Sequence, residues 1–224
     1  MSNYLLELTA VHIALMLGYW FFLRKERQYS TLRFYLLATT LLALVIPLLK
    51  LPKLFGSSKP IYVAPTAAIQ LEGVTIAPAA DETIWNSDLL IWGYLAITIF
   101  FLLKLVGSIF HILYLERNSS YERFNNLYIR KTRNVEGSFT FFGWIFLNGK
   151  ISPDQPDYAV ILKHEQAHST LGHTYDILFL ELFKVCFWWL PTSWLTIQEI
   201  KKIHEYQADA YALKSYSLDQ YSSI

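Results

Sequence analysis

Three long apolar runs constrain this chain more than anything else in it. Tyr4 to Leu23 is broken only by Glu7 and His12, Phe34 to Leu49 is uncharged with Pro47 near its end, and Leu89 to Leu115 is apolar except for Lys104 and His111. Helices of this length approach or exceed the ~30 Å hydrocarbon core of a bilayer. We therefore expect spans at about 4–23, 34–51 and 89–113. A cleaved leader would carry its positive charge ahead of the apolar run, whereas Arg24, Lys25 and Arg27 come after it. The first span is thus expected to be a retained anchor with its N-terminus outside.

Loop charge supplies the orientation. The 24–33 loop holds Arg24, Lys25, Arg27 and Arg33, and the stretch after the third span holds Arg117, Arg123, Arg130, Lys131 and Arg133, but the 54–87 connector has only Lys59. The positive-inside rule puts the connector outside, with one short hairpin expected around Gly73, and the other two segments in the cytoplasm. This divides the chain into a transmembrane region, 1–116, and a cytoplasm-facing domain, 117–224. Composition agrees: 54% of residues are hydrophobic and 17% charged, too apolar for an ordinary soluble domain. The net charge of +1 gives no basis for direct nucleic-acid binding. Cys186, the sole cysteine, sits in an apolar run and is expected to be buried and inert.

After the third span the pattern changes. NLYIRKT and SFTFFGWIFLN, separated by NVEGS, alternate in the manner of a small hairpin or sheet. Pro156 then suits a first helical turn, Val160, Ile161 and Leu162 follow, and Gly172 is a stop signal, so KHEQAHSTLGH lies on a helix. On that helix His164 and His168, four apart, project from one face and can meet a single ion, with Glu165 beside them. This is the HExxH arrangement of zinc hydrolases, in which zinc lowers the pKa of water and polarises a carbonyl while the glutamate takes the proton. The bland reading of the same residues is a solvated helix face. Downstream, IHEYQADAYAL offers Glu205 and Asp209 at another i, i+4 spacing, one able to ligate and the other to hold a ligating imidazole. His204 has no histidine partner at position 208, which is Ala208, and is expected to be a polar surface residue or a transition-state hydrogen-bond donor. His173 and Asp176 are expected at the rim of the site or at a helix terminus, and His12 and His111 at interfacial or interhelical positions.

HEQAH, an apolar stretch ending in FWWLP, then HEYQAD, preceded by three spans and FTFFGWIFLN, resembles the BlaR/MecR-type membrane metallopeptidases, antirepressor proteases of bacterial antibiotic sensing. The resemblance covers nearly the whole chain and is most specific over residues 139–213. It implies a mainly α membrane protein with three N-terminal transmembrane helices and an α+β gluzincin-like zinc metallopeptidase domain. His164, His168 and Glu205 would be the zinc ligands, Glu165 the catalytic base, and Asp209 the carboxylate behind a histidine. Relatives often have Asn-Pro where this chain has Leu190-Pro191, and Cys where it has Ala208; neither position touches the chemistry. The 224 residues contain no penicillin-binding sensor domain, so nothing here points to β-lactam sensing.

The expected function is an integral-membrane zinc endopeptidase of a bacterial inner membrane, its active site facing the cytoplasm, that cuts a cytoplasmic regulator or itself. Its partners would be a protein or peptide substrate, with a transcriptional repressor as one candidate, the lipid bilayer, and a second copy of the chain if it forms a homodimer. A strand from the 126–148 region can hold the substrate by edge pairing. The alternatives are a housekeeping membrane metalloprotease of prenyl-protease or heat-shock type, and a non-catalytic signalling module that keeps zinc for structure. The 177–190 segment should not cross the bilayer, because a crossing would carry Glu205 ~30 Å from the two histidines. It is expected to lie on the surface, to dip in and return, or to pack within the bundle.

Overall fold

The computed structural model describes residues 2–49, 87–124, 127–155 and 157–214. The connector up to residue 86, with its hairpin around Gly73, and the first-turn role of Pro156 lie outside these residues.

Each apolar run forms a helix. The first, α1 (Ser2–Gly18), ends in a π-helical turn (Tyr19–Leu23), and the second, α2 (Tyr29–Val45), in a 3₁₀ turn (Ile46–Leu49) that contains Pro47. The third, α3, runs from Ser87 to Arg117. Over Asn3–Leu23, Tyr29–Leu49 and Asp88–Arg117 these helices are long and apolar enough to cross a membrane. The second starts five residues ahead of the expected Phe34. Arg33 is therefore not a loop cation: it lies inside α2, where Asp176 of a later helix neutralises it at 2.6 Å. Arg24, Lys25 and Arg27 remain in the short turn between α1 and α2.

A four-stranded sheet follows α3, formed by β1 (Ser120–Phe124), β2 (Leu127–Thr132), β3 (Ser138–Phe141) and β4 (Trp144–Asn148) in the order β1-β2-β4-β3. SFTFFGWIFLN folds back on itself at Phe142 and Gly143, whose φ values of 50° and 108° are those of a two-residue hairpin turn. This places β4 in the interior, parallel to β2 and antiparallel to β3. The alternation of β4 then decides both faces. Ile145 and Leu147, with Ile129 of β2, bury against Tyr158 and Leu162 of α4 (Tyr158–Thr170), while Phe146 packs the opposite way toward Ile112 and Leu115 of α3.

Gly172, at φ 69°, takes the left-handed conformation that a side chain disfavours, and α5 (His173–Cys186) starts directly after α4. Pro191 opens α6 (Pro191–Leu213) at the first helical turn. Together α5 and α6 make a helical hairpin inserted among the apolar helices. Phe183 and Leu190 bury with Leu8 and Ala43, His12 Nδ1 lies 2.6 Å from Thr192 Oγ1, and the Tyr94 hydroxyl donates to the Cys186 carbonyl at 2.5 Å. Packing inside the bundle is thus the arrangement found for the 177–190 segment. His12 is interhelical, whereas His111 is exposed on α3. The main core mixes early and late residues: Met16, Tyr19, Leu32 and Leu36 bury against Leu180, Ile197, Ile200 and Ile203.

The expectation of a buried Cys186 is overturned, for the residue is exposed. The inward stripe of α5 runs through His173, Asp176, Leu180 and Phe183 and continues at Phe187, stepping past Cys186.

Candidate metal centre

One turn of α4 and one turn of α6 meet at the end of the bundle that bears the Arg24–Gln28 turn, and there His164, His168 and Glu205 bring one ligand atom each within 4.8 Å of one another. A tetrahedral ion with ligands at 2.0–2.1 Å requires ligand atoms about 3.3 Å apart. The Nε2 atoms of His164 and His168 are 3.2 Å apart, Glu205 Oε2 is 3.3 Å from His164 Nε2, and Glu205 Oε1 is 3.8 Å from His168 Nε2.

The partners of the other ring nitrogens indicate which lone pairs are free. His164 Nδ1 lies 3.1 Å from Asp209 Oδ1, an acceptor, so this nitrogen carries a proton and Nε2 is left with its lone pair. His173 Nε2 is 3.1 Å from Gln207 Oε1, also an acceptor; His173 Nδ1 is then the acceptor for His168 Nδ1 at 2.9 Å. His168 Nε2 is left as a lone pair too. Two imidazole nitrogens 3.2 Å apart are bridged by one shared proton or by a cation between them, and a borderline-soft divalent ion suits a set of two imidazoles and a carboxylate.

Glu165, one residue after the first histidine, is buried, and the Thr140 hydroxyl of β3 lies 2.7 Å from its Oε2 and 3.0 Å from its carbonyl oxygen. A second group of buried polar residues stands behind the histidines. Asp176, in the first turn of α5, meets His204 Nε2 at 2.8 Å and Arg33 Nε at 2.6 Å, and the His204 ring stacks on His173 with centroids 3.8 Å apart and 6° between planes. His204 is only 3% exposed, so it is not a surface residue: the pairing with Asp176 and the stack hold it inside. His173 and Asp176 stand at a helix terminus, in the first turn of α5, and both are buried in this inner group.

Burial works against protonation of His164, but the protonated ring donates from Nε2 to Glu205, and this bond with the nearby carboxylates of Glu165 and Asp209 outweighs burial and raises the pKa above the usual imidazole value; the Nε2 lone pair belongs to the neutral ring that a cation would meet. His168 moves the other way, because burial is reinforced there by His164 and His204. Burial, with His204, His168 and Arg33 as neighbours, pushes His173 down to about 3 and keeps it neutral, as its acceptor role requires. Glu205 is held below the usual carboxylate range, chiefly by its hydrogen bond with His164. Asp176 ends below the usual range as well: burial opposes ionisation, and His204 and Arg33 more than compensate.

The centre opens into a cavity of about 620 Å³. Leu105, Ile109 and Ile112 of α3 form one wall, consecutive residues Ser138 to Phe141 of β3 another, and the histidines and both glutamates the floor. Four residues of this region, Ser30, Arg33, Thr140 and Gln207, were not singled out from the sequence. Arg33 and Ser30 meet partners more than 140 positions away, and no local pattern marks such contacts.

No protein-family model matches the chain, and no curated protein matches it either.

Proposed function

We propose that this chain is an integral-membrane zinc endopeptidase of the BlaR/MecR-like kind, with His164, His168 and Glu205 as ligands and Glu165 as general base. The observation that carries this reading is the pair of Nε2 atoms 3.2 Å apart, with the exposed Glu205 carboxylate 3.3 and 3.8 Å from them and the buried Glu165 beside them at the floor of an open cavity. A structural zinc site closes with four protein ligands, whereas three ligands and a cavity suit hydrolysis. When bound, zinc supplies a Lewis acid for the scissile carbonyl and lowers the pKa of water.

The remaining work falls to the chain's own residues. Glu165 accepts the proton of the attacking water and returns it to the leaving amine, and the Thr140 hydroxyl fixes the carboxylate for that exchange. Strand β3 is the end strand of the sheet and its four residues line the cavity. Its open edge can pair with the backbone of an extended peptide and hold the scissile bond beside Glu165. The basic α1–α2 turn lies at the same end as the centre, so the positive-inside rule orients the site to the cytoplasm. Substrates there are a cytoplasmic regulator or the chain itself.

The test compares cells carrying the native chain with cells carrying Glu165→Gln, by proteomics of cleavage products and by metal analysis of the purified protein. The native chain is expected to hold about one zinc, and the variant to keep it while hydrolysis falls by about 10² to 10⁴, since the amide cannot accept a proton. His164→Ala or His168→Ala should lose the metal. Identical product profiles for native and Glu165→Gln cells would remove the assignment of the base, and full zinc in both histidine variants would remove that of the ligands.

A further inference from the structure

The first turn of α2 reaches the metal centre by two separate routes. On one, Ser30 Oγ accepts from Gln207 Nε2 at 3.3 Å, Gln207 Oε1 holds the proton of His173 Nε2, and His173 Nδ1 accepts from His168. On the other, the Arg33 guanidinium splits its donors. Its Nε meets Asp176 at 2.6 Å, and Asp176 holds His204, while its Nη2 donates at 2.7 Å to the carbonyl of Leu171, the residue that ends the histidine-bearing helix α4. Ser30 and Arg33 are three residues apart and so share one face of α2. That face touches α4, α5 and α6 together.

We propose that Ser30 and Arg33 are positioning residues through which the second apolar helix sets the orientation of His168 and of α4, and with it the affinity of the site for its metal. The inference rests on the zinc reading above. The chemistry of the contacts gives it direction. His168 presents Nε2 as a lone pair only while His173 Nδ1 is an acceptor, and that tautomer is fixed by the Gln207 oxygen. Gln207 meets Ser30 through its amide nitrogen and His173 through its amide oxygen, so its side chain is held at both ends. Arg33, with its side chain 19% exposed, makes two bonds at a wide angle from one rigid plane, which the single ammonium point of a lysine does not reproduce. A shift of α2 along its axis breaks both routes at once.

The test uses the full chain in lipid nanodiscs, stripped of metal and titrated with cobalt(II) against a chromophoric chelator, with the visible spectrum of the bound ion recorded. The native protein is expected to bind one cobalt with a tetrahedral spectrum. Ser30→Ala and Arg33→Ala should each bind severalfold more weakly, less than the about 10- to 100-fold expected when a direct partner of a ligating histidine is lost, because both act through intervening residues. Arg33→Lys should not restore the affinity, whereas added methylguanidinium should restore it to Arg33→Ala. Thr40→Val is the control, since Thr40 is buried on the same helix and, among the described residues, bonds within it to the Leu36 carbonyl; it should bind as the native chain does. Native affinity and spectrum in both Ser30→Ala and Arg33→Ala would overturn the inference and leave the zinc reading standing. So would an equal loss in Thr40→Val, which would signal general loosening of α2. A native chain that binds no cobalt would overturn both. If Arg33→Ala does not fold, Ser30→Ala decides the question alone, because it removes one hydroxyl and little volume.

Discussion

At the scale of single residues, the hydroxyl that faces Glu165 lends itself to a direct test. Thr140 has one proton to give, and it lies between the carboxylate and the carbonyl of Glu165. A hydrogen bond to a charged acceptor is worth about 1.5–3 kcal/mol, and a misplaced base loses further rate through poor alignment. Thr140→Val should therefore leave zinc content unchanged and lower turnover about tenfold or more, read on whichever cleavage product the native chain yields. His173 supports a prediction of a different kind. Its pKa is pushed down to about 3, against an ordinary value of 6.5, so between these limits the unfolded chain binds the extra proton and the folded chain does not. Folding stability of the metal-free protein should then fall as pH drops from about 6.5 toward 3, with a slope of up to about 1.4 kcal/mol per pH unit from this residue. Denaturant melts at several pH values should show that limb in the native chain and flatten it in His173→Gln; identical limbs would assign the acid sensitivity elsewhere. Asp176 acts only lower down. Its depressed pKa contributes stability that persists above the ordinary carboxylate range and is lost as pH falls through and below 3.8.

At the scale of elements, what could be read from the sequence followed the range of the interaction. The histidine pair was legible because i, i+4 spacing on one helix is local, and Glu205 and Asp209 were legible for the same reason on α6. The alternating stretches of the sheet were legible too. The parallel pairing of β2 with β4 was not, since it depends on the turn at Phe142 and Gly143 folding β3 outward. Arg33 reads as a loop cation because the partner that lets it sit inside α2 is 143 positions away. Cys186 was misjudged because apolar neighbours are found on lipid-facing as well as on core-facing positions. The α5–α6 hairpin lends itself to direct measurement. In a Cys186→Ser background, single cysteines at Thr170 and Lys201, both exposed, should react with an impermeant thiol reagent from the same side of sealed vesicles. Reaction from opposite sides would mean that the hairpin crosses, and Glu205 would no longer be available as a ligand.

At the scale of the whole molecule, the helices that can span a membrane and the helices that carry the centre share one core. Leu180, Ile197, Ile200 and Ile203 bury in one cluster with Met16, Tyr19, Leu32 and Leu36. Burying a side chain of this size contributes about 1.5–3 kcal/mol, so removing α1 and α2 forfeits several such contributions together with both routes from Ser30 and Arg33. A fragment of residues 117–224 expressed alone should therefore aggregate or remain molten and bind no metal stoichiometrically, as judged by circular dichroism and metal analysis. A monomeric fragment with one tightly bound zinc would show that the metal centre is autonomous. The third helix raises a separate matter. With 31 residues at about 1.5 Å each, α3 is about 46 Å long, well beyond the ~30 Å that a bilayer core covers. It is fastened at Phe101, against Trp188 and Trp194, and at Leu115, against Phe141 and Phe146, and between those points it roofs the cavity with Leu105, Ile109 and Ile112. A helix that is too long for its membrane leans, and it leans further where the lipid is thin. The roof of the cavity thus belongs to an element whose length exceeds a bilayer core, and cleavage measured in vesicles of short- and long-chain lipid should differ if α3 crosses them.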